Sequence, residues 1–242
     1  MKALILAAGR GTRMNIQTLD RPKCLLKVQG KSLLDWQIEA IRAAGINDIA
    51  VVTGYKHELI SRPRLHKFHN PNWQSTNMVS SLECAHDWLK SDSCIVSYSD
   101  IFYSPEAVKM LLSLDSHLAI TYHVDWLSIW TSRFGDPLID AESLRLSESG
   151  SIVEIGRKPK SKTEVQGQYM GLLRISPNGW NEMKKLFDDL NDTDRNTLSM
   201  TEMLQKIVEC RVIDIKALPY DGLWGEIDSE RDLEIFNSKK SS

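Results

Sequence analysis

Residues 3–8, Ala-Leu-Ile-Leu-Ala-Ala, run without a polar side chain into Gly9-Arg10-Gly11-Thr12-Arg13. Six apolar residues stopped by glycine are too short for a stable helix and fit a strand buried on both faces, as in a parallel sheet. The glycines then allow positive φ and close backbone approach to a ligand, so their amides can point at anionic oxygens. Pro22-Lys23 follows within a loop length, and Arg13 and Lys23 add charge where linked phosphates would sit. The spacing is neither of two commoner phosphate motifs. A dinucleotide fingerprint needs a third glycine at position 14, which is Met14, and a P-loop needs Gly-Lys-Ser/Thr, which the segment lacks.

Short apolar runs alternate with helical periodicity through the rest of the first half, the pattern of stacked βα units. Strands are predicted at 3–7, 49–53, 65–68, 94–98, 117–124, 169–175 and 212–217, with a hairpin from 144–146 and 152–155. Helices are predicted after Ser32, Thr76, Ser104-Pro105, Ser176-Pro177, Ser199 and Ser229, each opened by a hydroxyl cap, and Ser199 with Glu202 makes a capping box. The fold class is therefore α/β: a single Rossmann-like domain over residues 1–238, a mixed, mainly parallel sheet flanked by helices and a smaller hairpin-bearing half, with 239–242 a frayed tail.

With 30 basic and 32 acidic residues among 242, the net charge of -2 gives no field for nucleic acid or anionic membrane, so anion binding must be local. Cys24, Cys84, Cys94 and Cys210 have neither CxxC spacing nor a histidine comb, which argues against zinc or a disulfide framework and for a reducing, cytoplasmic setting. The chain starts directly on its first strand, and no leader or spanning stretch is expected. Whether identical chains associate is left open by the sequence.

Open α/β sheets bind ligands at the carboxyl ends of their strands, where the glycine turn and Asp100, at the end of the 94–98 strand, both fall. By position alone Asp100 is a turn residue or a metal ligand, and Asp228 is a helix-N-terminal carboxylate or its partner. Asn77 is an exposed neighbour of a helix cap or a ligand contact.

The 7–13 segment with Pro22-Lys23 resembles the signature of the sugar nucleotidyltransferase superfamily. Thr76-Asn77-Met78, the tryptophan-rich 126–142 segment and Trp224-Gly225-Glu226-Ile227-Asp228 resemble its phosphocholine cytidylyltransferase-like branch. The resemblance implies transfer of CMP from CTP to a small phosphorylated or phosphonate acceptor, with pyrophosphate released, in decoration of a capsule, other surface polysaccharide or lipid. It implies Mg2+ on Asp100 and Asp228, a hard ion suited to carboxylate, phosphate and water oxygens. Arg13 and Lys23 are then catalytic with those two aspartates. The nucleotide set is Ala7, Ala8, Gly9, Gly11, Thr12, Arg13, Lys23, Asn77 and Ser80.

Lys158, in Gly156-Arg157-Lys158-Pro159, resembles the segment that holds the acceptor phosphate, although Arg157 replaces the usual glutamate. Trp126, Trp130, Tyr169 and Trp224 with Glu226 are expected either as core filler or as a box around a cationic acceptor head. A sugar-1-phosphate nucleotidyltransferase using UTP, GTP or dTTP is the neighbouring alternative, and a non-catalytic nucleotide sensor the more distant one. A glycosyltransferase would want Asp-x-Asp where the chain has Ser99-Asp100-Ile101.

Overall fold

A computed structural model describes residues 1–238, and the tail expected to fray, 239–242, lies outside them. The first strand, β1 (Lys2–Ala7), is followed by α1 (Leu33–Ala43), β2 (Ile49–Thr53), β3 (Leu65–His69), α2 (Met78–Glu83), α3 (His86–Ser91), β4 (Cys94–Tyr98), β5 (Ile101–Tyr103) and α4 (Pro105–Ser113). The second half carries β6 (Leu118–His123), α5 (Trp126–Phe134), β7 (Leu144–Leu146), β8 (Ile152–Ile155), β9 (Gln168–Ile175), α6 (Pro177–Asp188), α7 (Asp192–Thr197), α8 (Met200–Cys210), β10 (Ile215–Tyr220), β11 (Trp224–Glu226) and α9 (Glu230–Ser238).

A seven-stranded sheet in the order β10-β6-β9-β4-β1-β2-β3 forms the centre. β9 runs antiparallel to both of its neighbours, while the other pairings are parallel. This is the mixed, mainly parallel sheet the periodicity predicts. Along β1, Ala3, Ile5 and Ala7 pack into the cluster on one face and Leu4 and Leu6 into the cluster on the other. The uninterrupted apolar run is thereby explained, since side chains alternate across a strand and both faces are covered by helices. The hairpin of β7 and β8 forms as predicted.

Several details differ from the sequence reading, among them the helix expected from 78 to 89, which breaks into α2 and α3, and the unpredicted helices α5 and α7. The cap of α2 is Asn77, whose side chain accepts from the Met78 amide, whereas the Thr76 hydroxyl donates to the Asn72 carbonyl. The last central strand begins at Ile215 rather than 212, because α8 ends in left-handed Arg211 and the chain needs the intervening residues to turn. Finally, β5 and β11 pair antiparallel in a ladder too short to leave a periodic signature. Among the described residues no helix is long and apolar enough to cross a membrane.

Candidate active site

The carboxyl ends of β1 and β4 open onto a cleft of about 520 Å3, and the glycine turn forms its floor. Gly11 is left-handed at φ 74, and a Cβ there would lie 2.8 Å from Cδ of Lys23. Only glycine permits both the turn and the passage of the lysine stem. Gly9 differs: a Cβ on it would meet no heavy atom within 4 Å, so the fold does not require glycine there. The space over Gly9 belongs to the cleft.

Lys23 is 6% exposed, and its Nζ donates to Asp100 Oδ2 at 2.8 Å and to Asp228 Oδ1 at 2.6 Å. The two aspartates meet because β11 pairs with β5 in the register Glu226 to Ile101, and the Ile227 amide donates to the Asp100 carbonyl at 2.9 Å. Arg13 Nη2 reaches Asp228 Oδ1 at 2.9 Å from the solvent side. Burial alone would pull the Lys23 ammonium down, but Asp100 and Asp228 outweigh it and hold it up at about 12. Burial likewise works against ionised Asp228, and Lys23, Arg13 and Arg133 overcome it, keeping the carboxyl below its ordinary value.

Behind these groups lies Arg133 of α5, its side chain fully buried. It donates to Glu226 at 2.9 Å and Asp232 at 2.8 Å, and its third nitrogen lies 3.5 Å from Asp228. Asp232 also accepts from the amides of Asp228 and Ser229, which fixes the entry to α9. Burial and the nearby Asp228 push the Glu226 carboxyl upward despite Arg133.

Carboxylate oxygens of Asp100, Glu226 and Asp228 lie within 4.8 Å of one another, and Asp100 Oδ1 is buried without a hydrogen-bond partner. Converging hard oxygens with one lone-pair face unclaimed fit a divalent ion of the magnesium type.

A second cleft, of about 330 Å3, shares Arg13 and Met78 with the first and extends past Asp228. Its wall includes Tyr98, Trp130, Asp140, Glu142, Tyr169 and Glu226.

The structure thus brings Arg13, Lys23, Asp100 and Asp228 together and places Ala8, Gly9, Gly11, Thr12 and Asn77 on the first cleft. Asn77 points partly away from it, its side-chain amide donating to the Thr197 carbonyl. Ala7 is committed to the β1–β2 ladder, and Ser80 turns its hydroxyl to the Arg195 carbonyl, so neither lines the cleft, whereas Ser81 does.

Trp130, Tyr169 and Glu226 line the second cleft, but Trp126 and Trp224 do not. Those two tryptophans are 5% and 4% exposed in the core, and the Trp224 indole donates to the Met170 carbonyl. Lys158 also lies off the cleft, its ammonium taken by the carbonyls of Leu138 and Ile139. Sequence reasoning missed Trp73, on the first cleft, and Tyr98, on the second, and read Arg133, Asp140 and Glu142 only as part of the segment that carries the branch resemblance, with no role of their own. The spacing Asp140-Ala141-Glu142 was the one cue available, two acids on either side of a buried alanine.

The chain resembles known proteins over most of its length. Residues 3–145 match the model of the MobA-like NTP transferase domain. The chain is 36% identical to a CTP:phosphoglutamine cytidylyltransferase of Campylobacter jejuni, over 97% of this chain and 98% of that protein. It is 26% identical to a choline-phosphate cytidylyltransferase of Streptococcus pneumoniae, over 80% of this chain and 86% of the relative. Among solved structures, the inositol-1-phosphate CTP transferase from T. maritima superposes with a TM-score of 0.74 at 18% identity, covering 100% of this chain and 98% of that one.

Proposed function

The chain belongs to the MobA-like NTP transferase family, and from that premise we propose that it is a cytidylyltransferase moving CMP from CTP to a small phosphorylated or phosphonate acceptor, with release of pyrophosphate. One observation carries the reading: two clefts share Arg13 and Met78, and the cluster of Lys23, Asp100 and Asp228 stands where they join. A nucleotide in the first cleft and an acceptor in the second would have their phosphates side by side at that junction. The relatives named for CTP and for phosphoglutamine or choline phosphate point to the same pair of substrates.

An acceptor phosphate is anionic near neutrality, so the protein need supply neither a nucleophile nor a general base. An acceptor oxygen forms a bond to the α-phosphorus, the bond from that phosphorus to the bridging oxygen breaks, and pyrophosphate leaves with the electron pair. The work left to the chain is alignment and charge. Backbone amides of residues 9–12 would cradle the β- and γ-phosphates, and Arg13 and Lys23 would draw the charge developing on pyrophosphate.

Asp100 and Asp228 would hold Mg2+, which when bound supplies charge neutralisation along the phosphates. Lys23 fills the gap between these carboxylates. The same lysine that compensates these two acids without substrate is thus within reach of a triphosphate. The activated CMP ester would serve decoration of surface polysaccharide or lipid, made in the cytoplasm where CTP is available.

A pyrophosphate-release screen tests the reading, crossing CTP, UTP, GTP, dTTP and ATP with phosphorylated glutamine, phosphocholine, aminoethylphosphonate and common sugar phosphates. Release that depends on CTP and on an ammonium-bearing acceptor is expected. Reaction only of UTP, GTP or dTTP with a sugar phosphate would replace it with the sugar-1-phosphate reading.

A further inference from the structure

The second cleft carries more negative charge than phosphoryl chemistry needs. A cleft meant only for an anionic phosphate would be lined by cations, yet Asp140, Glu142 and Glu226 stand on its wall beside Asp228. The nearby cations are already committed. Arg13 and Lys23 pair with Asp228, Arg133 with Glu226 and Asp232, and Lys158 with two backbone carbonyls. Among the described residues Asp140 and Glu142 are therefore left without an ion-pair partner. Burial raises both carboxyls; for Asp140 it prevails over the pull of Arg133, Arg13 and Lys158, and for Glu142 the charge of Asp140 adds to it against a hydrogen bond from Thr201.

The pair is also held in place. Gln168 of β9 accepts from the Glu142 amide at 3.1 Å and donates to the Glu142 carbonyl at 2.6 Å. This reciprocal clasp fixes the backbone that presents the acids.

The aromatic side of the cleft lacks what a quaternary ammonium requires. Such a head has no N–H donors and is held by open ring faces. Trp130 already has the Arg133 guanidinium 5.0 Å from its ring centroid and Trp224 stacked parallel at 5.9 Å, and Tyr98 meets Tyr169 edge to face. Trp130 is 3% exposed, and its indole N–H is buried with no acceptor. An unclaimed donor on the wall asks for a ligand oxygen, as the unpaired acids ask for ligand N–H groups.

We propose that Asp140 and Glu142 are the head-group subsite of the acceptor, and that they select a primary ammonium over a quaternary one. A primary ammonium offers three N–H donors to two carboxylates, and trimethylation removes all three while adding bulk. The assignment rests on the second cleft being the acceptor site and narrows the acceptor class to phosphate or phosphonate esters and amides that carry –NH3+.

Phosphoethanolamine and phosphocholine differ only in the three N-methyl groups, so isothermal titration of each into the protein tests the proposal. Phosphoethanolamine should bind at least about tenfold more tightly, the scale of one charged hydrogen bond. Glu142→Gln should narrow that ratio, and Asp140→Asn/Glu142→Gln should bring it near one. Titration with CTP, whose cleft contains neither acid, reports that the variants are folded. Equal or reversed affinities in the wild type, failure of both compounds to bind, or a preference that survives in the double variant would each overturn the subsite. Pyrophosphate release is read separately. If the binding preference is present and no acceptor releases pyrophosphate from CTP, the proposed reaction fails while the subsite stands.

Discussion

Replacing Arg133 with methionine removes the one cation that Glu226 and Asp232 share. The substituted side chain fills similar space, so the change isolates charge. In the native protein the guanidinium is fully buried and bonded to Asp232 at 2.8 Å and Glu226 at 2.9 Å, with Asp228 at 3.5 Å. Removing one partner of a buried ion pair costs about 3–5 kcal/mol, because the remaining charge is stranded without water. At about 2–4 °C of Tm per kcal/mol for a chain of this size, Arg133→Met should melt roughly 6–20 °C below the wild type.

The prediction has an internal check. Asp232 is 1% exposed and also accepts from the amides of Asp228 and Ser229. Asp232→Asn alone should destabilise by loosening that cap, but Arg133→Met/Asp232→Asn should lose less than the sum of the two, since the second change removes one acid the first has stranded. Thermal melts by circular dichroism of the four proteins give the coupling. A single-variant shift under about 2 °C, or additive losses in the double variant, would refute the view that this arginine holds the acids in register.

Lys23→Met should lower kcat for pyrophosphate release by about a hundredfold or more, the scale of losing one preorganised charged donor; full retained turnover would exclude its role. The two turn glycines should separate by substitution: Gly11→Ala should lower Tm through its positive φ and the crowding of Lys23, whereas Gly9→Ala should melt within about 1 °C of wild type and instead weaken CTP binding by calorimetry. Burial pushes the Cys24 and Cys94 thiols up to about 12, so at about pH 8 a thiol reagent should label exposed Cys210 in the native protein and reach the other two only after denaturant. The Arg62 guanidinium holds the Asp35 carboxyl below its usual value, so its contribution is present above about pH 4 and is lost as pH falls through the lower folded-state value. Melts of Asp35→Asn and wild type should therefore differ at neutrality and converge in acid; a constant gap across pH would contradict the pairing.

The nucleotide half of the cleft was legible in the sequence for a physical reason. Phosphate recognition uses backbone amides, glycines and a few cations placed close together along the chain, so Gly9, Gly11, Arg13 and Lys23 announce it locally. Asp100 was visible as the end of a buried strand. Asp228 is another matter, because its place beside Asp100 depends on the β5–β11 ladder, whose three-residue strands leave no periodicity to read. From the residues alone it could equally have been a helix-terminal carboxylate, and the family resemblance separated the two.

The acceptor half was hidden because each of its residues has an ordinary local meaning. Arg133 sits in the last turn of α5, where a cation suits the helix dipole, and Asp140 ends a short turn. Tryptophans drew attention instead, yet burying an aromatic ring is favourable on its own account, so their number carries little information about a ligand. Trp126 and Trp224 are in the core for that reason. A half-buried acid in no ion pair has no such independent justification, which makes Asp140 and Glu142 the stronger sign of a bound group. That sign is a property of which cations surround the acids, and Arg13, Lys23 and Arg133 are drawn from two distant stretches of chain to other partners. Only the tertiary structure shows that, among the described residues, neither acid is in an ion pair.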